Sequence, residues 1–141
     1  MQVSFCTPVD DDMIVIRAYI KEFVLDDENL MKEQFVIAKS NHQIIGFGRL
    51  RTHSDCTELC TLGVIPEHRG KGIGKKLVEQ LIQRAFATEL FVVCIIPEFF
   101  MKFGFELVSI YPSSIKRKHS ICTTHYVVKE KYSAMVLRIT I

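Results

Sequence analysis

Leu62-Gly63-Val64-Ile65-Pro66-Glu67-His68-Arg69-Gly70-Lys71-Gly72-Ile73-Gly74-Lys75-Lys76-Leu77-Val78 is the stretch whose reading decides the fold. An apolar run of β type, Leu59 to Ile65, stops at Pro66; after a short polar turn, Gly70, Gly72 and Gly74 lead into residues with helical spacing. The order is strand, glycine-rich loop, helix. Glycine has no Cβ and can turn backbone N–H groups inward, and the first N–H groups of a helix have no partner within it and add to the positive end of its dipole. A loop of this kind suits an anion, most often a phosphate. It is not a P-loop, because Gly74 is followed by Lys75-Lys76 rather than by a lysine and a hydroxyl residue. It is not a dinucleotide fingerprint either, since its glycines do not have the G-x-G-x-x-G spacing.

Downstream, Ile73, Leu77, Val78, Leu81, Ile82, Ala85 and Phe86 form an apolar stripe, and Lys75, Lys76, Glu79, Gln80, Gln83 and Arg84 occupy the opposite side of the helix. Glu89 to Ile96 reads as a strand buried on both faces, Pro97 to Phe103 as a short helix ended by Gly104, and Phe105 to Ile110 as another strand. Upstream, Gln2 to Thr7 is a first strand, and Asp10-Asp11-Asp12 caps a helix marked by Met13, Ile16, Ile20, Phe23 and Val24. A short helix is expected over Asn29 to Glu33. Phe35 to Ala38 and Gln43 to Arg51 read as strands joined by a two-residue hairpin turn at Asn41-His42. From Tyr111 the expectation is a loop opened by Pro112-Ser113-Ser114 and carrying the basic cluster Lys116-Arg117-Lys118-His119, then a closing strand from Tyr132 to Ile141. The fold class is mixed α/β, with helices between strands, in one domain over residues 1–141.

Composition narrows the function classes. At 141 residues the chain can bury a full core without staples. A formal net charge of +2 is too small to argue for nucleic acid. No run has the length of a membrane span and the N-terminus lacks a signal-peptide pattern, so a cytoplasmic location is the expectation. An odd number of cysteines, Cys6, Cys56, Cys60, Cys94 and Cys122, argues for reduced thiols rather than a disulfide framework.

Arg69-x-x-Gly72-x-Gly74, preceded by Leu62-x-Val64-x-Pro66, resembles motif A of the GCN5-related N-acetyltransferases (GNAT), and Phe99-Phe100-Met101-Lys102-Phe103-Gly104-Phe105 resembles a second segment of that family, usually written Phe-Tyr-Glu-Lys-Leu-Gly-Phe. With the β–α–β–β–β–α–β order, the resemblance covers essentially the whole chain. It implies a GNAT-like, mixed but mostly antiparallel sheet flanked by helices, and acetyl-coenzyme A as cosubstrate. It implies that Leu62, Gly63 and Val64 hold the pantetheine arm and acetyl oxygen through backbone N–H groups, and that Arg69, Gly70, Lys71, Gly72, Ile73, Gly74 and Lys75 hold the pyrophosphate. In many family members the tyrosine of the second segment is the general acid for the departing thiolate; the matching Phe100, at the cofactor in this resemblance, has no proton to give. The Phe-Phe pair, Phe35 to Ala38, Glu58 ahead of Leu62-x-Val64 and the closing Ala134-Met135-Val136-Leu137 look like the amino-acid N-acetyltransferase branch, the domain of N-acetylglutamate synthases.

Transfer of an acetyl group to an amine needs a neutral amine, a polarised thioester carbonyl and a destination for a proton. Alternation along the Leu59 strand puts Glu58, Cys60, Leu62 and Val64 on one face, and Glu58 is the only carboxylate there, hence the candidate base, directly or through water. A charged residue at a strand edge is the alternative. Arg49 and Arg51, with Phe47, share a face of the preceding strand; they are either a solvated face or the fork that binds a substrate carboxylate. The expected acceptor is a small-molecule amine such as an amino acid, with no nucleic acid or membrane partner and a homodimer as a compatible assembly. His119, Cys122 and His125 have zinc-like spacing without a fourth ligand, so no metal is assigned. The competing function is a catalytically silent acyl-coenzyme A sensor or partner subunit that kept the loop and lost the acid at Phe100.

Overall fold

The computed structural model describes residues 2–125 and 131–139. Its strands are β1 (Ser4–Cys6), β2 (Phe35–Ser40), β3 (Gln43–Thr52), β4 (Thr57–Val64), β5 (Glu89–Cys94), β6 (Glu106–Leu107) and β7 (Ser133–Arg138). Its helices are α1 (Asp10–Phe23), α2 (Ile73–Arg84), α3 (Pro97–Met101) and α4 (Ser113–His125). The hydrogen-bonded strand order is β1-β2-β3-β4-β5-β7-β6. The β4–β5 pair is parallel, while β1–β2, β2–β3, β5–β7 and β6–β7 are antiparallel. No described helix is long and apolar enough to cross a membrane.

The chain forms two compact units, one made of the residues up to Leu50 together with Leu59–Ala85, the other of Arg51–Glu58 together with the residues from Phe86 onward. In the first, α1 buries Met13, Ile16 and Ile20 on Phe35, Ile37 and Phe47, the helical period of one element meeting the two-residue period of the others. The hairpin turn falls at Asn41-His42 as expected, with φ of 51° and 65°, the left-handed pair that matches strand twist. On the Gly46 and Gly48 side of β3, a Cβ would stand 2.9 Å from Leu77 Cδ1 and 2.8 Å from Leu81 Cδ1, so α2 lies closer than any side chain would allow. In the second unit, β5 and β7 pair from Glu89↔Arg138 to Cys94↔Ser133, and Phe91, Ile115, Ala134 and Val136 form the core.

Several expectations are corrected. The segment from Ser113 is not a loop but α4, whose inward positions Ile115, Lys118, His119 and Cys122 have helical spacing with a lysine and a histidine among them. Its N-terminal Ser114 N–H donates to Asp55 Oδ2 at 3.0 Å, a cap 59 residues away in sequence. Phe86 is not on the buried stripe of α2, which ends at Arg84, and is 96% exposed. Asn29 to Glu33 is not a helix; a single 3₁₀ turn forms later, over Lys32–Gln34. The strand expected from Phe105 to Ile110 shrinks to β6, and that expected from Glu89 to Ile96 stops at Cys94. Thr140 and Ile141, and the side chain of His125, lie outside the described residues.

α1 supplies its own N-terminal chemistry. Asp10, Asp11 and Asp12 fill the first turn, and Asp12 Oδ2 accepts the Val9 N–H at 2.9 Å. Burial raises the Asp12 pKa, but the Val9 N–H and Lys39, 3.0 Å away, more than offset it and hold the carboxyl below the ordinary 3.8. A depressed carboxyl pKa stabilises the fold above the unfolded-state value, and that stabilisation is lost as pH falls through the folded-state value. Asp12→Asn is therefore expected to destabilise the protein at pH 7, with the difference from wild type shrinking as pH falls below about 4, measured by urea unfolding across that range.

Candidate functional site

The loop into α2 has the geometry expected of an anion site. Gly70 and Gly72 have φ of 77° and 80°, and no atom comes within 4 Å of a Cβ built at either. These glycines are there for backbone conformation, not for want of space. Gly72 is the N-cap of α2 and has no side chain to cap it. The first intrahelical bond runs from Lys76 N to Gly72 O, and the first turn contains no acid. The N–H groups of Ile73, Gly74 and Lys75 thus have no helical acceptor, and Lys75 and Lys76 add charge at the wrong end of the dipole for an isolated helix. A bound anion removes both defects. Because valine is strained wherever φ is positive, Gly72→Val perturbs the fold as well as any ligand, and the exposed Lys71 and Lys75 are the cleaner probes.

β4 leads into that loop with its pleat broken. Thr61 has φ of 52°, a left-handed conformation that a β-branched residue adopts at a cost of about 1–3 kcal/mol. Leu62 stands on the Gly48 side of β3, while Thr61 and Gly63 stand on the Arg49 and Phe47 side. Pairing of β4 with β5 is confined to Thr57↔Leu90 and Glu58↔Phe91. Beyond Glu58, no ladder to β5 occupies the edge of β4 among the described residues, and the backbone of Leu62, Gly63 and Val64 is half-buried there. A strand edge without a ladder suits an amide-bearing chain laid alongside.

Arg49 is neither a solvated face nor an open fork for a substrate. It is 0% exposed and its donors are spent inside the protein. Nε donates to Thr61 Oγ1 at 2.7 Å, Nη1 to Glu28 O and Gln34 Oε1, both at 3.0 Å, and Nη2 to Asp26 O at 3.2 Å with Asp26 Oδ1 also at 3.2 Å. That accounts for the five N–H groups a guanidinium has. Arg51 is buried too, which removes the solvated-face reading for it. Arg69 is exposed, but its Nε donates to Val64 O at 2.9 Å and its guanidinium lies 5.2 Å from the Phe23 ring centroid.

In the second unit, Glu58 is fully buried with both carboxylate oxygens in use: Oε1 is 2.8 Å from His53 Nε2, and Oε2 accepts from Lys118 Nζ at 2.7 Å. An ionised carboxylate there requires the Nε2–H tautomer of His53, leaving Nδ1 with the lone pair. His53 sits in a polar turn that drew no site assignment, and Lys118 belongs to the basic cluster Lys116-Arg117-Lys118-His119 that was expected in a loop. Phe100 is 3% exposed and packs edge-on against Phe99 and Phe105, with centroids 5.0 and 5.5 Å apart. It packs as a core residue of that aromatic cluster. Burial pushes the Cys56 thiol up to about 12 and the Cys94 thiol up to about 11, so both stay protonated, and Cys60 is buried as expected.

Residues 6–105 match the acetyltransferase (GNAT) family, and the chain belongs to that family. Its fold is shared with N-acetylglutamate synthase from Neisseria gonorrhoeae in complex with coenzyme A and N-acetyl-glutamate, at 20% identity and a TM-score of 0.81, the match covering 100% of this chain and 36% of that one. The chain thus spans about a third of the length of that synthase. Rv2747 from Mycobacterium tuberculosis, in a complex containing CoA, matches at 20% identity and a TM-score of 0.77 over 97% of this chain and 99% of its own. Arabidopsis thaliana Naa50 in complex with the bisubstrate analogue CoA-Ac-MVNAL matches at 17% identity and 0.67, over 99% and 100%.

Phe100→Tyr tests the packing assignment. The added hydroxyl enters a ring cluster with no polar partner, and stability is expected to fall by about 1–3 kcal/mol in urea unfolding. An unchanged midpoint would mean that the ring edge reaches a polar space.

Proposed function

We propose that the protein transfers the acetyl group of acetyl-coenzyme A to the primary amine of a small molecule, an amino acid being the favoured class. The observation that carries this reading is the uncapped, acid-free start of α2 behind two left-handed glycines, joined to a strand whose edge beyond Glu58 has no ladder to β5. Pyrophosphate satisfies the N–H groups of Ile73, Gly74 and Lys75, with Lys71 and Lys75 as further cations and Arg69 offering the guanidinium nitrogens that Val64 does not use. The pantetheine amides pair along Leu62 to Val64, and a backbone N–H there polarises the thioester carbonyl.

The neutral amine attacks the carbonyl carbon, the C–N bond forms, and the C–S bond breaks to release the thiolate. Glu58 is the proposed seat of the proton lost by the amine. Because its oxygens are held by His53 and Lys118, it is reached by relay rather than by direct contact: His53 Nδ1 takes the proton and the Nε2 proton passes to Glu58 Oε1. Arg51 is the remaining candidate for a substrate carboxylate. The amino-acid class draws support from the synthase with its bound N-acetyl-glutamate, and a peptide N-terminus is the rival suggested by the Naa50 complex.

One observation favours the silent acyl-coenzyme A sensor: Phe100 offers no proton to the thiolate and is locked in an aromatic cluster. Thiol release from acetyl-coenzyme A, measured with glutamate, aspartate, their decarboxylated counterparts and a short peptide, separates the readings. Turnover that prefers the amino acids supports the enzyme, whereas binding of coenzyme A without thiol release supports the sensor. Joint replacement of Lys71 and Lys75 by alanine is expected to weaken coenzyme A binding about 10-fold or more in calorimetric titration, on the order of 1.5–3 kcal/mol. Glu58→Gln is expected to lower kcat by about 10²–10⁴-fold with coenzyme A affinity retained.

A further inference from the structure

We infer that Arg49 is a positioning residue for the thioester: one guanidinium holds the left-handed turn of β4 at Thr61 and also fixes the segment Asp26–Gln34 against that turn. The inference rests on the reading that the stretch Thr61–Val64 holds the cosubstrate.

The latch is built from named contacts in one compact unit. Thr61 Oγ1 receives the Arg49 Nε–H at 2.7 Å and donates to Asp26 O at 3.0 Å. The remaining Arg49 donors take Asp26, Glu28 and Gln34, so the segment that follows α1 closes on the same charge. A second strap lies one turn along. A Cβ at Gly63 would stand 2.8 Å from Phe47 Cζ and 3.2 Å from Phe23 Cδ2, and Arg69 stacks on Phe23 while holding Val64 O. Thr61 and Gly63 are thereby backed by protein on the Arg49 and Phe47 side of β4.

A threonine alone does not hold φ near 52°; Thr61 stays there because two hydrogen bonds over-determine it. Releasing Arg49 should let Thr61 fall back to extended backbone. The N–H groups of Leu62 to Val64 would then turn away from the edge on which the cosubstrate pairs. Arg49 thus acts through backbone direction and touches no reacting atom.

Thr61→Val and Thr61→Gly separate this role from simple stability. Valine removes the hydroxyl and keeps the penalty on positive φ; glycine removes the hydroxyl and the penalty together. Coenzyme A titrated calorimetrically into both variants and into Arg49→Lys gives the readout, with amide hydrogen exchange over residues 26–34 measured in parallel. The expected result is an affinity about 10-fold weaker for Thr61→Val and Arg49→Lys, restored to within about 3-fold of wild type for Thr61→Gly, with faster exchange over 26–34 in all three. Wild-type affinity in Thr61→Val, or Thr61→Gly as weak as Thr61→Val, would overturn the inference. If wild type itself binds no coenzyme A, the cosubstrate reading falls, and with it the link from Arg49 to the thioester; unchanged exchange over 26–34 would overturn the latch in its own right.

Discussion

A guanidinium removed from water is tolerated only when every donor finds an acceptor, and Arg49 meets that condition by drawing three separate pieces of chain to itself. The strand that carries it, the segment after α1 and the kinked part of β4 are held by one charge. Removing it would take the paired cation from the largely buried Asp26 carboxylate, a cost on the order of 3–5 kcal/mol for a broken buried pair. By contrast the Lys32–Asp10 pair, 2.9 Å apart on the surface, is screened by water and contributes little. The same chemistry is structural in one place and near neutral in the other because of burial alone.

The two long helices of the first unit show how a helix N-terminus becomes a binding feature. α1 satisfies its own start with Asp12 and an acidic first turn. α2 begins on a glycine, with no acid and with two lysines where the dipole disfavours them. Local rules of helix stability are obeyed in α1 and broken in α2, and the breach coincides with the loop that holds two left-handed glycines, Gly70 and Gly72. An element that is poorly capped on its own is one that a ligand completes.

The second unit makes the parallel point with a carboxylate. Glu58 is fully buried, paired with Lys118 and hydrogen-bonded to His53, so its charge survives inside the fold only as part of a cluster. The cluster depends on α4, which brings Lys118 inward, and on the turn before β4, where the His53 N–H bonds to Cys56 O and holds the residue's backbone. Asp55 of that same turn caps α4 at Ser114.

Much of this was legible from local chemistry. The glycine loop with its uncapped helix, the Asn41-His42 turn, the apolar stripe of α2 from Ile73 to Leu81 and the buried β5 follow from spacing and turn preference, which act over a few residues and are written in the chain. Tertiary structure alone decided the rest. α4 was hidden because its inward stripe contains Lys118 and His119 and its cap comes from Asp55, so neither apolar periodicity nor an adjacent capping residue announced it. The break at Thr61 was hidden because a left-handed threonine is imposed by Arg49 and Asp26, not by its own preference. Arg49 and Glu58 were recognisable as unusual charges on strands. Whether each faced a substrate or a partner depended on side chains that the folded chain brings from far along the sequence, and no local pattern encodes that choice.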